Sequence, residues 1–77
     1  MGADITMPKF GLTMTEGSVT QWLKSIGDSV VKGEPVLEVE TEKIVNAVES
    51  PADGILKEII AVEGDILPVG AILGRIE

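Results

Sequence analysis

Val36-Leu37-Glu38-Val39-Glu40-Thr41-Glu42-Lys43-Ile44-Val45-Asn46-Ala47-Val48 is the stretch from which the fold is read. Its arms, Val36 to Val39 and Val45 to Val48, interleave apolar and polar residues with the short period of β-strands. The five residues between them, Glu40 to Ile44, leave room only for a tight hairpin. Lys43 falls near its tip, where its amine points into water. Most exposed lysines are solvated surface charges, so any special role for this one rests on its surroundings.

Outward from the hairpin the same pattern recurs. Ile5-Thr6-Met7 alternates and Pro8 closes it, because proline has no N–H to give to a ladder. Val19 to Lys24, Ser29 to Val31, Ile55 to Ile60, Ile66-Leu67 and Ile72 to Ile76 read as further strands. Gly27-Asp28, Gly33-Glu34-Pro35, Ser50 to Gly54, Gly64-Asp65 and Pro68-Val69-Gly70 read as turns. Short strands separated by turns, with no sustained helical period, indicate an all-β sandwich or barrel.

The chain also repeats itself. Shifted by the distance from Gly17 to Gly54, residues 17–40 lie over 54–77 without a gap. Gly27, Asp28, Gly33 and Glu40 meet Gly64, Asp65, Gly70 and Glu77. Val19, Trp22, Leu23, Val30, Val36 and Val39 meet Leu56, Ile59, Ile60, Leu67, Leu73 and Ile76. The glycines mark backbone positions with special torsions, and the apolar set marks the core. Two such halves are expected to pack face to face about a pseudo-two-fold axis. Met7-Pro8 stands where Ser50-Pro51 stands, but Lys9 to Glu16 replaces the brief Ala52-Asp53. If the strands span the domain, this extra loop lies beside Lys43, and turn 51–53 lies at the opposite end with the chain termini. Phe10, Leu12 and Met14 alternate within the loop, so at least one is expected in the core.

Composition narrows the chemistry. At 77 residues this is one small domain with a thin core. It has no Cys and no His, which removes thiol nucleophiles, imidazole bases and the usual transition-metal ligands. No metal site is expected. The net charge of −7 opposes nucleic-acid binding. No apolar run approaches the roughly 18 residues of a membrane helix, so no membrane partner is expected. Asp28 and Asp65 follow glycine at equivalent turns and read as caps of local backbone amides. Trp22, opposite Ile59 in the repeat, reads as core.

A lysine that acts as a nucleophile needs burial or a neighbouring cation. Lys43 instead has Glu40 and Glu42 beside it, with Glu38 and Glu49 in the flanking strands. These anions favour the ammonium form. Lys43 therefore reads as an attachment point that a separate enzyme must acylate. A tether on a rigid hairpin then sweeps between distant sites at high effective concentration.

With Met7-Pro8, Thr13-Met14, Glu16-Gly17, Trp22, Gly27-Asp28, Gly33-Glu34, Val39-Glu40-Thr41-Glu42-Lys43, Ser50-Pro51 and Gly54, the chain resembles the lipoyl domains of dihydrolipoamide acyltransferases. These are the core subunits of pyruvate, 2-oxo acid and acetoin dehydrogenase complexes. The resemblance runs from Ile5 to Glu77. It implies a flattened barrel of two antiparallel sheets, the barrel-sandwich hybrid, with residues 1–77 forming one carrier domain of a longer chain. It implies lipoic acid in amide linkage to Lys43, a swinging arm that shuttles acyl groups and electrons, and no catalysis by the domain itself. Glu42 and Ile44 flank the lysine where the family usually has Asp and Ala, and are candidates for recognition. Phe10, Gly11, Leu12, Thr13 and Met14 are candidates for partner recognition.

The implied partners are a lipoate ligase or lipoyl transferase, a thiamin-diphosphate-dependent dehydrogenase, the acyltransferase core and a dihydrolipoamide dehydrogenase. The implied setting is the bacterial cytoplasm or the mitochondrial matrix, and the isolated domain is expected to be a monomer. The Met7-Pro8 to Thr13-Met14 stretch resembles the pyruvate and acetoin types and favours an acetyl cargo. Two alternatives stand beside this reading. A biotin carboxyl carrier shares the fold but expects methionine on both sides of the lysine. An unmodified β-sandwich adaptor would keep the repeat with no reason for a lysine at the tip.

Overall fold

A computed structural model describes residues 2–77. It has eight strands: β1 (Ala3–Thr6), β2 (Glu16–Trp22), β3 (Ser29–Val30), β4 (Pro35–Thr41), β5 (Ile44–Glu49), β6 (Gly54–Ile59), β7 (Ile66–Pro68) and β8 (Ile72–Ile76). They form two four-stranded antiparallel sheets, ordered β1-β8-β6-β3 and β5-β4-β2-β7. The repeat maps β2, β3 and β4 onto β6, β7 and β8, and β1 onto β5. Applied to the first sheet, it returns the strand order of the second. The pseudo-two-fold expected from the sequence is therefore present in the topology.

The two halves interlock. Gly27 N donates to Leu56 O at 2.8 Å, and its counterpart Gly64 N donates to Val19 O at 2.8 Å. Gly33 N donates to Ser50 O and Gly70 N to Met7 O, both at 2.9 Å. These four glycines have φ of 98°, 93°, 89° and 91°, a region that side chains disfavour. Asp28 accepts from Ser25 N at 2.8 Å and Asp65 from Val62 N at 3.0 Å, as expected of local caps. Gly17 departs from the expectation of special torsion. Its φ is not positive; a Cβ there would meet Met7 Sδ at 3.0 Å and Met14 Cε at 3.3 Å, so a side chain would have to push both methionines aside.

The inward faces close one core. Val19, Val30, Val36 and Val39 pack with Leu56, Leu73 and Ile76, joined by Ile5, Met7, Leu37 and Val48. Trp22 is half-buried, and its Nε1 donates to Ala61 O at 2.7 Å. Its ring lies over Gly74, where a Cβ would come within 2.9 Å of it. Leu23 and Ile60, read as core, are exposed instead. Each follows an inward-facing residue, Trp22 or Ile59, so strand alternation turns both outward. The second strand ends at Trp22 rather than Lys24. Pro68, read as a turn, is the last residue of β7, a strand at the sheet edge where proline is tolerated.

The poles of the barrel differ. At one, β1 and β8 pair Ala3 with Ile76, and Ile55 N donates to Glu77 O at 2.7 Å. This pole holds both described ends of the chain and the 51–53 turn. The β4–β5 hairpin tip stands at the other.

Candidate functional site

The hairpin is tighter than its sequence suggests. β4 and β5 stay paired through Thr41 and Ile44, which leaves Glu42 and Lys43 as the whole turn. Their φ values are 50° and 68°. Positive φ at both central residues is what a two-residue hairpin turn needs to follow the strand twist. Asn-Gly or Asp-Gly usually supplies it; here two long side chains do. Lys43 is exposed, and its Nζ has no carboxylate within ion-pairing distance among the described residues. The acids near it in sequence leave the amine free.

Beside the tip lies a groove of about 450 Å³. Its floor comes from the start of β2, one wall from the loop before β2, and the other from the arms of the hairpin. Phe10, Gly11, Thr13 and Met14 line the loop side, and Glu42 and Ile44 line the hairpin side. The extra loop thus sits next to the lysine turn. Met14 is buried and anchors the loop beneath Gly17, while Gly11 O and Met14 Sδ accept from Met14 N and Phe10 N, both at 3.2 Å. Of the three alternating side chains, only Met14 is core. Phe10 is 40% exposed, and Leu12, at 95%, stands clear of both core and groove.

The exposed amine, carried alone past the last strand pair, fits a covalently attached group. The family model "Biotin-requiring enzyme", for biotin- and lipoyl-type domains, matches residues 3–76. The lipoyl domain of the 2-oxoglutarate dehydrogenase complex from Azotobacter vinelandii is 36% identical with a TM-score of 0.76, covering 96% of this chain and 94% of that one. The chain belongs to the biotin–lipoyl family, as a lipoyl domain.

This lipoyl domain is 54% identical over 69 residues to the dihydrolipoyllysine-residue acetyltransferase component of the acetoin cleaving system of Pseudomonas putida. It is 48% identical over 73 residues to the corresponding component of the pyruvate dehydrogenase complex of Corynebacterium glutamicum. The matches cover 90% and 95% of this chain but 19% and 11% of those relatives. The chain therefore spans a fifth of their length or less. Lipoyl domains of this kind are carriers, holding lipoic acid covalently on a lysine.

Several residues of the groove, among them Thr15, Ser18, Asn46 and Ile66, were missed from the sequence. Ile66, from β7, lines the floor and is 63% exposed. Its repeat counterpart is Ser29. An exposed isoleucine where the other half has serine is an asymmetry that a closer comparison of the halves would have flagged.

Proposed function

We propose that Lys43 of this lipoyl domain takes the lipoyl group, and that the domain carries acyl groups and electrons between active sites of a 2-oxo acid or acetoin dehydrogenase complex. The observation that carries the reading is the two-residue turn. It holds Lys43 beyond the last strand pair, with its amine unpaired among the described residues. When bound, the dithiolane supplies redox and acyl-carrying chemistry that no side chain of this Cys- and His-free chain offers. The chain's own residues do the positioning. The antiparallel arms hold the turn, and Glu42 and Ile44 set the surface that a ligase meets.

The rest of the proposal concerns partners. A lipoate ligase or lipoyl transferase modifies Lys43. A thiamin-diphosphate dehydrogenase, an acyltransferase core and a dihydrolipoamide dehydrogenase are then visited in turn, in the bacterial cytoplasm or mitochondrial matrix. Similarity to acetoin- and pyruvate-type acetyltransferase components favours an acetyl cargo. Phe10 to Met14 forms the recognition surface beside the arm. Leu12 is its most exposed element, free of any packing duty, and is read as the partner contact.

Incubation with a lipoate ligase, lipoic acid and ATP, followed by intact-mass and peptide mapping, tests the reading. One lipoyl addition on Lys43 is expected, and none on Lys43→Ala, with the same circular dichroism for both. A modified Lys43→Ala protein defeats the assignment. Leu12→Ser is expected to be lipoylated normally and to melt within about 0.5 kcal/mol of the parent. Its kcat/KM for reductive acylation should fall several-fold, about tenfold if the side chain contributes near 1.4 kcal/mol. Unchanged kcat/KM removes Leu12 from the recognition surface.

A further inference from the structure

The groove beside the turn carries exposed apolar surface. Phe10, Ile44 and Ile66 are 40%, 60% and 63% exposed, and they converge from a loop and two different strands. Both neighbours of Lys43, Glu42 and Ile44, line it. A group tethered to the Lys43 amine therefore starts at the groove's lip. We propose that this groove is a resting site for the arm, in which the dithiolane end folds back onto Phe10, Ile44 and Ile66 between transfers. This rests on Lys43 being the attachment residue. The tether argues for this occupant, because it delivers an apolar ring to an apolar surface without any second binding partner.

The strength of the contact follows from the same geometry. A short flexible tether gives an effective concentration of roughly millimolar. A small apolar ring in a groove open to solvent binds with a Kd of about that size. About half of the arms then rest in the groove at any moment, and reactivity at the ring scales with the free half. Such an equilibrium shelters the ring without hindering its capture by an enzyme. Ile44, bulkier than the alanine usual in the family, enlarges the apolar wall at the arm's root.

The test uses the domain lipoylated by a ligase and verified by mass. Methyl resonances of Ile66 and Met14 are compared before and after attachment. Ile66 is the decisive probe, since it lies on β7 and not on the hairpin. Resting predicts a shift at Ile66 and nuclear Overhauser contacts between its methyls and the ring methylenes. It also predicts that the reduced arm reacts with iodoacetamide about twofold faster in Ile66→Asn or Phe10→Ser than in the parent. Shifts confined to the turn, with equal alkylation rates, overturn the proposal. Perturbation at Ile66 only after addition of a thiamin-diphosphate dehydrogenase assigns the groove to a partner and overturns it too. Failure of lipoylation itself defeats the carrier reading, and the resting site with it.

Discussion

Glu42 and Lys43 occupy left-handed backbone without the excuse of being glycine or asparagine. For such residues the conformation costs roughly 1–2 kcal/mol each. The turn geometry demands the conformation, and a side chain must remain at Lys43 for the site to exist. Strain concentrated at the proposed attachment residue is the pattern expected where a local rule yields to use. Glu42→Asn keeps the turn and relieves part of the strain; it is expected to raise stability by about 0.5 kcal/mol, read as a higher Tm. A lower Tm would contradict the strain argument. Elsewhere, Glu34 lies 3.0 Å from Lys24 and accepts from Val31 N at 3.2 Å. The Lys24 hydrogen bond, followed by the backbone one, holds its carboxyl below the usual carboxylate range. A carboxylate depressed in the folded state stabilises above its unfolded value and loses that contribution as pH falls through the folded one. Urea titrations down that acid limb should show a steeper loss in the parent than in Glu34→Gln; parallel curves would remove Glu34 from the acid response. At this scale Lys43 was legible, because two flanking arms defined the tip. The positive φ values were not, because the usual Asn-Gly signal is absent. The groove role of Ile66 was harder to read: the mismatch with Ser29 marks it as unusual, but placing it at the groove requires knowing that β7 pairs with the start of β2.

The strands were legible as elements, while their ends were less so. Leu23 and Ile60 show why: apolar residues in a repeat look like core, yet alternation after Trp22 and Ile59 sends both outward. Their shared error is itself evidence for the symmetry, since each half made the same departure. The turns carry the other lesson. Gly27 and Gly64 have nothing within 4 Å of the place a Cβ would occupy, so crowding does not forbid a side chain there. Their φ values do. Gly27→Val or Gly64→Val should each cost about 1–3 kcal/mol, and by similar amounts, since the two turns make equivalent bonds. Guanidinium melts showing one site tolerant and the other not would break the equivalence. The 9–16 loop was placed beside Lys43 by following strand direction through the repeat, and the shared groove lining agrees with that placement.

Across the whole molecule, neither half pairs all of its own strands. Among the described residues, β1 finds its only strand partner in β8, and β3 in β6. A fragment of residues 2–50 therefore keeps one incomplete sheet and leaves β1 and β3 unpaired. It should be unfolded alone by circular dichroism, as should 51–77, and mixing them should recover strand signal. A folded 2–50 fragment would contradict the interlocked core. In the intact chain, Trp22 reports on both halves through Ala61 and Gly74. Its fluorescence and the strand signal should thus lose native values at the same urea concentration. Overall architecture was the most legible level, because the duplicated glycines and apolar positions constrain topology more strongly than any single strand does. The two poles have one further consequence. The described ends of the chain meet at one, and the lysine turn occupies the other. Whatever is joined to Ala3 or Glu77, whether a fluorophore, a surface or another protein, hangs behind the body rather than in front of it. The domain is a handle whose grip and tool are at opposite ends, so immobilising it by either terminus leaves Lys43 facing away from the support.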